Sequence, residues 1–397
     1  MAVRWRGCDE ELYQKALDLE EVVMNATRER FACSHRNNPT SKLEFSRVCV
    51  LGGKVVSHVR IYERHYRIGT APVHGGGIGD VCTHPDHRKK GYGAGCLRDA
   101  IDYFKEHSYQ MSMILSGVFG FYLSEKWEKF PQHSYAVPVR GVRVPRPRRG
   151  VYSVRWFERD TDDLEQVMGV YDVYSRNKSL SVVRTPLYWR RRMRWQTGEA
   201  PEEFLVAERA GRIVGYSRAL GAEMCMVPGE EDSALALYDA LVRWGRKRRR
   251  ETLSFRPTAD NPLTEVFENS RKVEKRTSLT TLLRFIDLRG LLEAILDELQ
   301  LRWMRSGLRW EGTFMLRARG VRQQAALTVK KREVTVAPSV RKPTATLSWT
   351  QADLFKLLTG YGRLEDLPLG RMGRGTKRAL SALFPRGDVV FWRTDTV

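Results

Sequence analysis

Asp80-Val-Cys-Thr-His-Pro-Asp-His-Arg-Lys-Lys-Gly-Tyr-Gly-Ala-Gly-Cys-Leu97 joins the end of an apolar strand to a helix through a basic, glycine-rich turn. Gly91 and Gly93 let the backbone approach a ligand with no Cβ in the way, and a helix starting there aims its free N–H groups and positive dipole end at an anion. Arg88, Lys89 and Lys90 add positive charge beside that cradle. Cys96, Leu97, Ala100, Ile101 and Phe104 then recur at helical spacing, which predicts a helix packed by one face on a sheet. The unit reads as strand, phosphate cradle, buried helix. The competing reading is an ordinary basic turn that caps a helix.

Two common nucleotide motifs fail here. A Walker-type loop ends in Gly-Lys-Ser/Thr, and a dinucleotide turn needs a third glycine where this chain has Cys96. The Arg-x-x-Gly-x-Gly pattern of Arg88, Gly91 and Gly93 resembles the pyrophosphate loop of the GNAT acetyltransferase superfamily, which binds acetyl-coenzyme A. On that resemblance Tyr92 and Ala94 complete the cradle. The strand before it splays from its neighbour, so Val81, Cys82 and Thr83 bond the pantetheine arm as another strand would, with Gly117 lining the far side of the gap.

Element order around the cradle agrees. Apolar spacing through Leu12, Ala16, Leu19, Val22 and Val23 predicts an opening helix over 9–31. Strands over 44–51, 55–67 and 73–83 follow, turning at Gly52-Gly53 and near Gly69. After the cradle helix come a strand at 111–117, a short helix at 121–129 and a strand at 134–139.

The chain of 397 residues is long enough for two or three cores. It contains no run of about 18 apolar residues and no signal-peptide core, so a soluble cytoplasmic protein with no membrane partner is expected. Six cysteines without a Cys-x-x-Cys pair read as reduced and mostly buried thiols. His84 and His87 stand three apart, yet nothing near them in sequence supplies the remaining ligands, so no metal is expected. Net charge is +21, of which residues 1–140 hold only +4. The excess concentrates in 140–149, 189–195 and 243–250, and in the last two of these tryptophans stand among the arginines. Such runs bind nucleic acid or anionic lipid in some proteins, and more often are solvated helix faces.

The Pro/Arg-rich stretch 138–150 reads as a stiff linker. Beyond it the start of the first unit is repeated: helices from Thr161 and around Tyr188, a hairpin over 204–220 turning at Gly211-Arg212, and a helix over 233–250. The position of the cradle is taken by Met226-Val-Pro-Gly-Glu-Glu-Asp232, whose acids repel a pyrophosphate. From 283 the pattern changes to a helix at 291–301, strands at 312–319, 323–330, 333–337 and 345–348, and helices at 351–358 and 376–383. This last part resembles the sterol carrier protein fold, on Ala345-Thr-Leu-Ser-Trp-Thr-Gln-Ala-Asp-Leu354 and Leu357-Leu-Thr-Gly360. The fold class expected is therefore α+β, tandem GNAT folds followed by a sterol-carrier-like domain, with domains at 1–140, 151–285 and 286–397.

That architecture, with Pro85-Asp-His-Arg-Lys-Lys-Gly91 and the Phe121-Tyr122 pair, resembles the enhanced intracellular survival (Eis-like) family of N-acetyltransferases. The resemblance implies acetyl-coenzyme A as co-substrate in the first unit, direct acetylation of an amine on a polyamine, an aminoglycoside or a lysine, and assembly into homo-oligomers, hexamers among them. It implies Tyr122 as general acid and the α-carboxylate of Val397 as base. Packed Val389-Val-Phe-Trp392 would tether that end, and Asp395 is a substitute base. Family members usually end in an aromatic residue, and Val397 departs from that. Tyr122 also reads as a core aromatic with Phe119, Phe121 and Trp127. The Cys82 N–H is a candidate oxyanion donor, and its thiol lacks an adjacent base for a covalent route. Asp18, Glu20 and Glu21 could line an acidic acceptor pocket, or be solvated. The rival function is a non-catalytic, acetyl-coenzyme A-sensing or nucleic-acid-binding scaffold.

Overall fold

The structure is a computed structural model and describes residues 3–140, 142, 145, 150–159, 161–195 and 203–396. Two compact units are assembled from non-contiguous segments: Met1–Phe130 with Thr280–Gly387, and Pro131–Leu279 with Asp388–Thr396.

The chain opens with β1 (Val3–Gly7), α1 (Glu10–Met24), α2 (Arg28–Arg36), β2 (Ser46–Leu51), β3 (Lys54–Ile68), β4 (Ala71–Thr83), α3 (Tyr92–Glu106), β5 (Met111–Leu115), α4 (Phe119–Ser124) and β6 (Glu128–Pro138). The segment expected as one helix is two, because Asn25 takes a left-handed conformation that ends α1 and Thr27 caps α2 through the Arg30 N–H. The buried face of α1 is Ala16, Leu17, Leu19 and Glu20, while Val22 is exposed. β1 pairs antiparallel with β2, β2 with β3 and β3 with β4, and β5 lies parallel to β4. β1 was not foreseen, since Val-Arg-Trp-Arg-Gly carries too little apolar content to stand out from its surroundings.

The second unit continues with β7 (Ser153–Trp156), α5 (Asp163–Ser175), α6 (Pro186–Trp195), β8 (Leu205–Arg209), β9 (Arg212–Arg218), β10 (Glu223–Met226), α7 (Asp232–Lys247), β11 (Thr252–Phe255), α8 (Pro262–Glu268) and β12 (Glu274–Phe285). From β7 to β12 this repeats, helix for helix and strand for strand, the order of β1 to β6. The last strands are exchanged: β11 pairs with β6, whereas residues 281–285 of β12 pair with β5 in the first unit. A core of Tyr171, Trp189, Phe204, Tyr216, Leu237, Phe255 and Trp392 fills the second unit.

The chain then returns to the first unit through α9 (Leu288–Ala294), α10 (Leu296–Ser306), β13 (Gly312–Ala318), β14 (Gln323–Lys330), β15 (Glu333–Ala337), β16 (Ala345–Trp349), α11 (Gln351–Thr359) and α12 (Arg374–Leu383). These strands form a sheet ordered β15-β14-β13-β16, with β16 parallel to β13. Gln351 ties this part down, since its Oε1 accepts from the Phe285 N–H at 2.9 Å and its Nε2 donates to the Lys126 carbonyl at 2.7 Å. Residues 388–396 belong to the second unit, where Ser179 and Val389 form a parallel bridge and Trp392 is buried in the core.

Candidate active site

β4 is built from Ala-Pro-Val-His-Gly-Gly-Gly-Ile-Gly-Asp, and its glycines make room for rings. A Cβ on Gly75 would stand 2.5 Å from the Tyr66 ring, and one on Gly76 would overlap the Phe104 ring. This lets two aromatic residues press against the strand from opposite sides. Pairing with β5 runs from Gly75↔Met111 to Ile78↔Ile114 and stops, whereas pairing with β3 continues to Ser57↔Thr83. Residues 79–83 of β4 therefore have β3 on one edge and no ladder partner on the other. The splay that the resemblance implies is present, and it leaves Val81, Cys82 and Thr83 on that open edge.

A bulge sharpens the splay. Arg60 pairs with Gly79 and His58 with Cys82, so Asp80 and Val81 together oppose Val59. Asp80 has φ of 49°, a conformation that asparagine and aspartate tolerate better than β-branched residues. The bulge was not legible in the sequence beyond that one signal, a Gly-Asp pair inside a strand.

Gly91 caps α3 with φ of 80° and presents no capping side chain, and a Cβ there would meet no atom within 4 Å. The helix therefore starts at Tyr92 without a side chain of its own on the cap, and the free N–H groups of such a first turn are what an anion needs. Arg88, Lys89 and Lys90 are exposed beside it. Arg88 Nε donates to the Thr83 carbonyl at 3.2 Å and Lys90 Nζ to the Asp86 carbonyl at 2.9 Å, which folds the basic loop back onto the strand end. A Cβ on Gly93 would lie 3.1 Å from Thr83 Oγ1 and 3.3 Å from Phe121 Cζ. The strand end, the first turn of α3 and α4 therefore converge at this glycine. Trp5 on β1 adds a wall, since its Nε1 donates to the Tyr92 carbonyl at 3.2 Å. Gly117, just past β5, likewise has open space where a Cβ would be.

Tyr122 on α4 is buried, with its ring 5.0 Å from that of Phe121, and it is part of the core with Trp127. Burial raises its hydroxyl above the ordinary value of 10.0, against a smaller opposing effect of Ser116, so it holds its proton at neutral pH. Burial likewise pushes the Cys82 thiol up, reinforced by Glu20 and Asp80, which keeps it a thiol rather than a nucleophilic thiolate. All six cysteines are free, and all but Cys33 are buried.

Some expected residues have other roles. Asp18 pairs with Arg28 at 2.8 Å, and Glu21 accepts from the Arg28 N–H, so both are solvated surface groups. Glu20 is instead fully buried, 3.0 Å from His58 Nδ1. Asp395 is not a free base: Arg184 grips both its oxygens at 2.8–2.9 Å and the Tyr188 hydroxyl donates to it at 2.8 Å. Trp189, read as part of a basic surface run, is buried between Tyr171 and Arg184. Val397 and most of 140–149 lie outside the described residues.

The second unit handles the matching helix start differently. Glu231 Oε1 accepts from the Gly229 N–H at 2.9 Å, and Glu230 holds Tyr152 at 2.8 Å and Arg209 at 2.7 Å. Carboxylates of the chain itself therefore crowd the N-terminus of α7, where a phosphate would be repelled. Among the described residues no helix is long and apolar enough to cross a membrane.

Residues 4–130 match the acetyltransferase (GNAT) domain family. The search of curated proteins found no match for this sequence. Among solved structures, a probable N-acyltransferase from Enterococcus faecalis V583 superposes with a TM-score of 0.72 at 16% identity, covering 97% of this chain and 96% of that one. A GCN5-related N-acetyltransferase from Anabaena variabilis gives 0.71 at 12% identity, over 98% and 99% of the two chains. Eis1 from Mycobacterium abscessus gives 0.67 at 15% identity, again over 98% and 99%. These likenesses are in fold. Taken with the splayed β4, the bulge and the glycine cradle, residues 4–130 are an acetyltransferase domain of the GNAT type, and the protein is an acyltransferase.

Proposed function

We propose that the protein is an Eis-like N-acetyltransferase, carrying the acetyl group of acetyl-coenzyme A to the amine of a small polyamine, an aminoglycoside-like molecule or a lysine. The observation that carries this reading is the open edge of β4 running directly into an uncapped, glycine-started helix. The first turn of α3, with Arg88, Lys89 and Lys90, holds the pyrophosphate, and the edge of Val81, Cys82 and Thr83, faced by Gly117, holds the pantetheine arm. The co-substrate supplies an activated acyl carbon as a thioester. Direct attack by the amine is favoured over a Cys82 route by that thiol's raised pKa. Tyr122, protonated by burial, gives its proton to the departing sulfur.

The α-carboxylate of Val397 is the base in this reading, by family likeness and with no geometry attached. Its support is indirect: the segment before it is anchored by Trp392 in the core and by the Asp395–Arg184 pair. The second unit is a repeat that has lost its phosphate site, the last part a sterol-carrier-like domain, and the oligomer a hexamer, in keeping with the same likeness.

Calorimetric titration of acetyl-coenzyme A into the full chain tests the reading. Saturable binding at one site per chain is expected, abolished by Gly91→Asp, which sets a negative charge in the cradle. Absence of binding to the unaltered protein would instead favour the scaffold reading, with nucleic acid the partner to try first.

A further inference from the structure

The face of β3 that meets α1 and α2 carries His58, Arg60, Tyr62 and Arg64, all of them buried. A strand face covered by two helices is ordinarily apolar, as the opposite face with Val59 and Ile61 is. Three groups of metal-ligand type converge against the polar face: Glu20 from α1, His35 from α2 and Asp80 from the β4 bulge, with one donor atom of each within 4.8 Å of the others. His35 Nε2 stands 3.3 Å from Asp80 Oδ2 and 4.0 Å from Glu20 Oε1. Donors bound to one cation at about 2.1 Å lie roughly 3–3.5 Å apart, so small side-chain rotations bring the three to ligand spacing.

Each of the three has an outer partner. Tyr13 Oη is 3.0 Å from His35 Nδ1, which leaves Nε2 to face the carboxylates. The Tyr62 hydroxyl donates to Asp80, and His58 Nδ1 stands 3.0 Å from Glu20. Metal ligands are oriented in this manner by a second layer of groups. A separate observation concerns Glu20 itself. Its side chain is fully buried and neither carboxylate oxygen receives a hydrogen bond; the contact with His58 is close but misaligned, and neither His58 nitrogen is bonded elsewhere. A buried carboxylate without donors is strongly unfavourable unless a positive charge faces it. Of the arginines on this face, Arg60 turns its Nη1 and Nη2 to Ser46 and Ser41, and Arg64 turns its Nη1 to Asn38 and the Glu63 carbonyl. Asp80, partly exposed, gives the cluster a route to solvent.

We propose that Glu20, His35 and Asp80 bind a divalent transition-metal cation of the Zn²⁺ or Mn²⁺ kind, with Tyr13 and Tyr62 fixing His35 and Asp80 and with His58 beside Glu20. The mixed imidazole and carboxylate set suits such ions better than Ca²⁺, which takes oxygen alone. The ion links α1, α2 and the bulge of β4 behind the open edge, and so holds the splay that the acyl-donor site uses. The site stands independently of which amine is acetylated.

The experiment uses the full chain, stripped with chelator and dialysed against Zn²⁺ or Co²⁺. Metal content, the visible absorption of bound Co²⁺ and the melting temperature are read. On the order of one ion per chain is expected, with a chelator-reversible rise in melting temperature and about ten-fold or weaker binding in Glu20→Gln and His35→Ala. His84→Ala with His87→Ala, on the exposed loop, keeps the ion. Failure of the unaltered protein to retain either metal overturns the proposal, in favour of imidazolium groups neutralising the carboxylates. So does metal bound undiminished by folded Glu20→Gln, or lost in the loop variant. If the buried variants do not fold, the unaltered protein and the loop variant decide the matter.

Discussion

Tyr122 is asked to be both a packed ring and a proton donor, and burial serves the two roles together. A phenol held above its ordinary pKa keeps its proton through the neutral range, so it is present as the acid when the thiolate departs. Tyr122→Phe keeps the ring and removes the proton. Turnover should fall by about 10²-fold or more while acetyl-coenzyme A binding stays within a factor of about two. Unchanged turnover would show that the sulfur is protonated by another group. Gly76 is a different kind of constraint, since its missing side chain is the space occupied by the Phe104 ring. Gly76→Ala should destabilise the protein by about 1–3 kcal/mol through forced movement in a packed core. A melting temperature equal to that of the unaltered protein would mean that the ring moves aside at little cost.

At the scale of elements, the long β3–β4 hairpin depends on its tip. Gly69 has φ of 58°, and a Cβ there would overlap Glu298 and Arg302 of α10. Glu298 accepts from the Thr70 hydroxyl and from the Thr70 N–H at 3.3 Å, and pairs with Arg302 at 2.6 Å. Burial raises the Glu298 pKa, but the Thr70 bonds and Arg302 outweigh it, and the net value lies below the ordinary 4.5. A carboxylate depressed in the folded state stabilises the fold above its unfolded pKa, and this contribution is lost as pH falls through the lower folded value. Glu298→Gln should cost about 1 kcal/mol at pH 7 and narrow the gap to the unaltered protein below about pH 4. Urea unfolding at the two pH values checks this, and an equal gap at both would remove the ionised carboxylate from the explanation.

On the scale of the molecule, one buried charge cluster binds distant parts of the second unit together. Arg184 donates to Glu223 twice at 2.8 Å and to Asp395, while its guanidinium lies 4.0 Å from the Tyr171 ring centroid and 4.6 Å from that of Trp189. The acidic partners come from β10 and from the C-terminal segment, so removing the cation leaves two carboxylates buried together. Arg184→Met should destabilise the unit by about 3–5 kcal/mol. Burial works against ionised Glu223, and Arg184 more than compensates, holding its carboxyl below the ordinary 4.5. The cluster thus supports the fold above that value and fails as acid carries the pH through the lower one. A variant as stable as the unaltered chain in urea at pH 7 would contradict the role given to the cluster.

Much of the cradle was legible because its chemistry is local: Gly91 and Gly93 start a helix within a few residues of Arg88, Lys89 and Lys90, and both backbone freedom and charge are properties of adjacent residues. The splay of β4 could be expected by likeness alone, since no residue of that strand announces where β5 stops pairing. Strands β13 to β15 agree closely with the hydrophobic alternation of the chain, for the same local reason. What only tertiary structure decided depends on partners far away in sequence. Glu20 reads as one more acid on an amphipathic helix, and becomes a buried group only when His58 and Asp80 are folded under α1. Asp395 looks like a free carboxylate until Arg184, 211 positions earlier, closes on it. The exchange of β6 and β12 is likewise invisible in the chain, because a strand's alternation determines which face is buried and does not determine which neighbour completes its backbone hydrogen bonds.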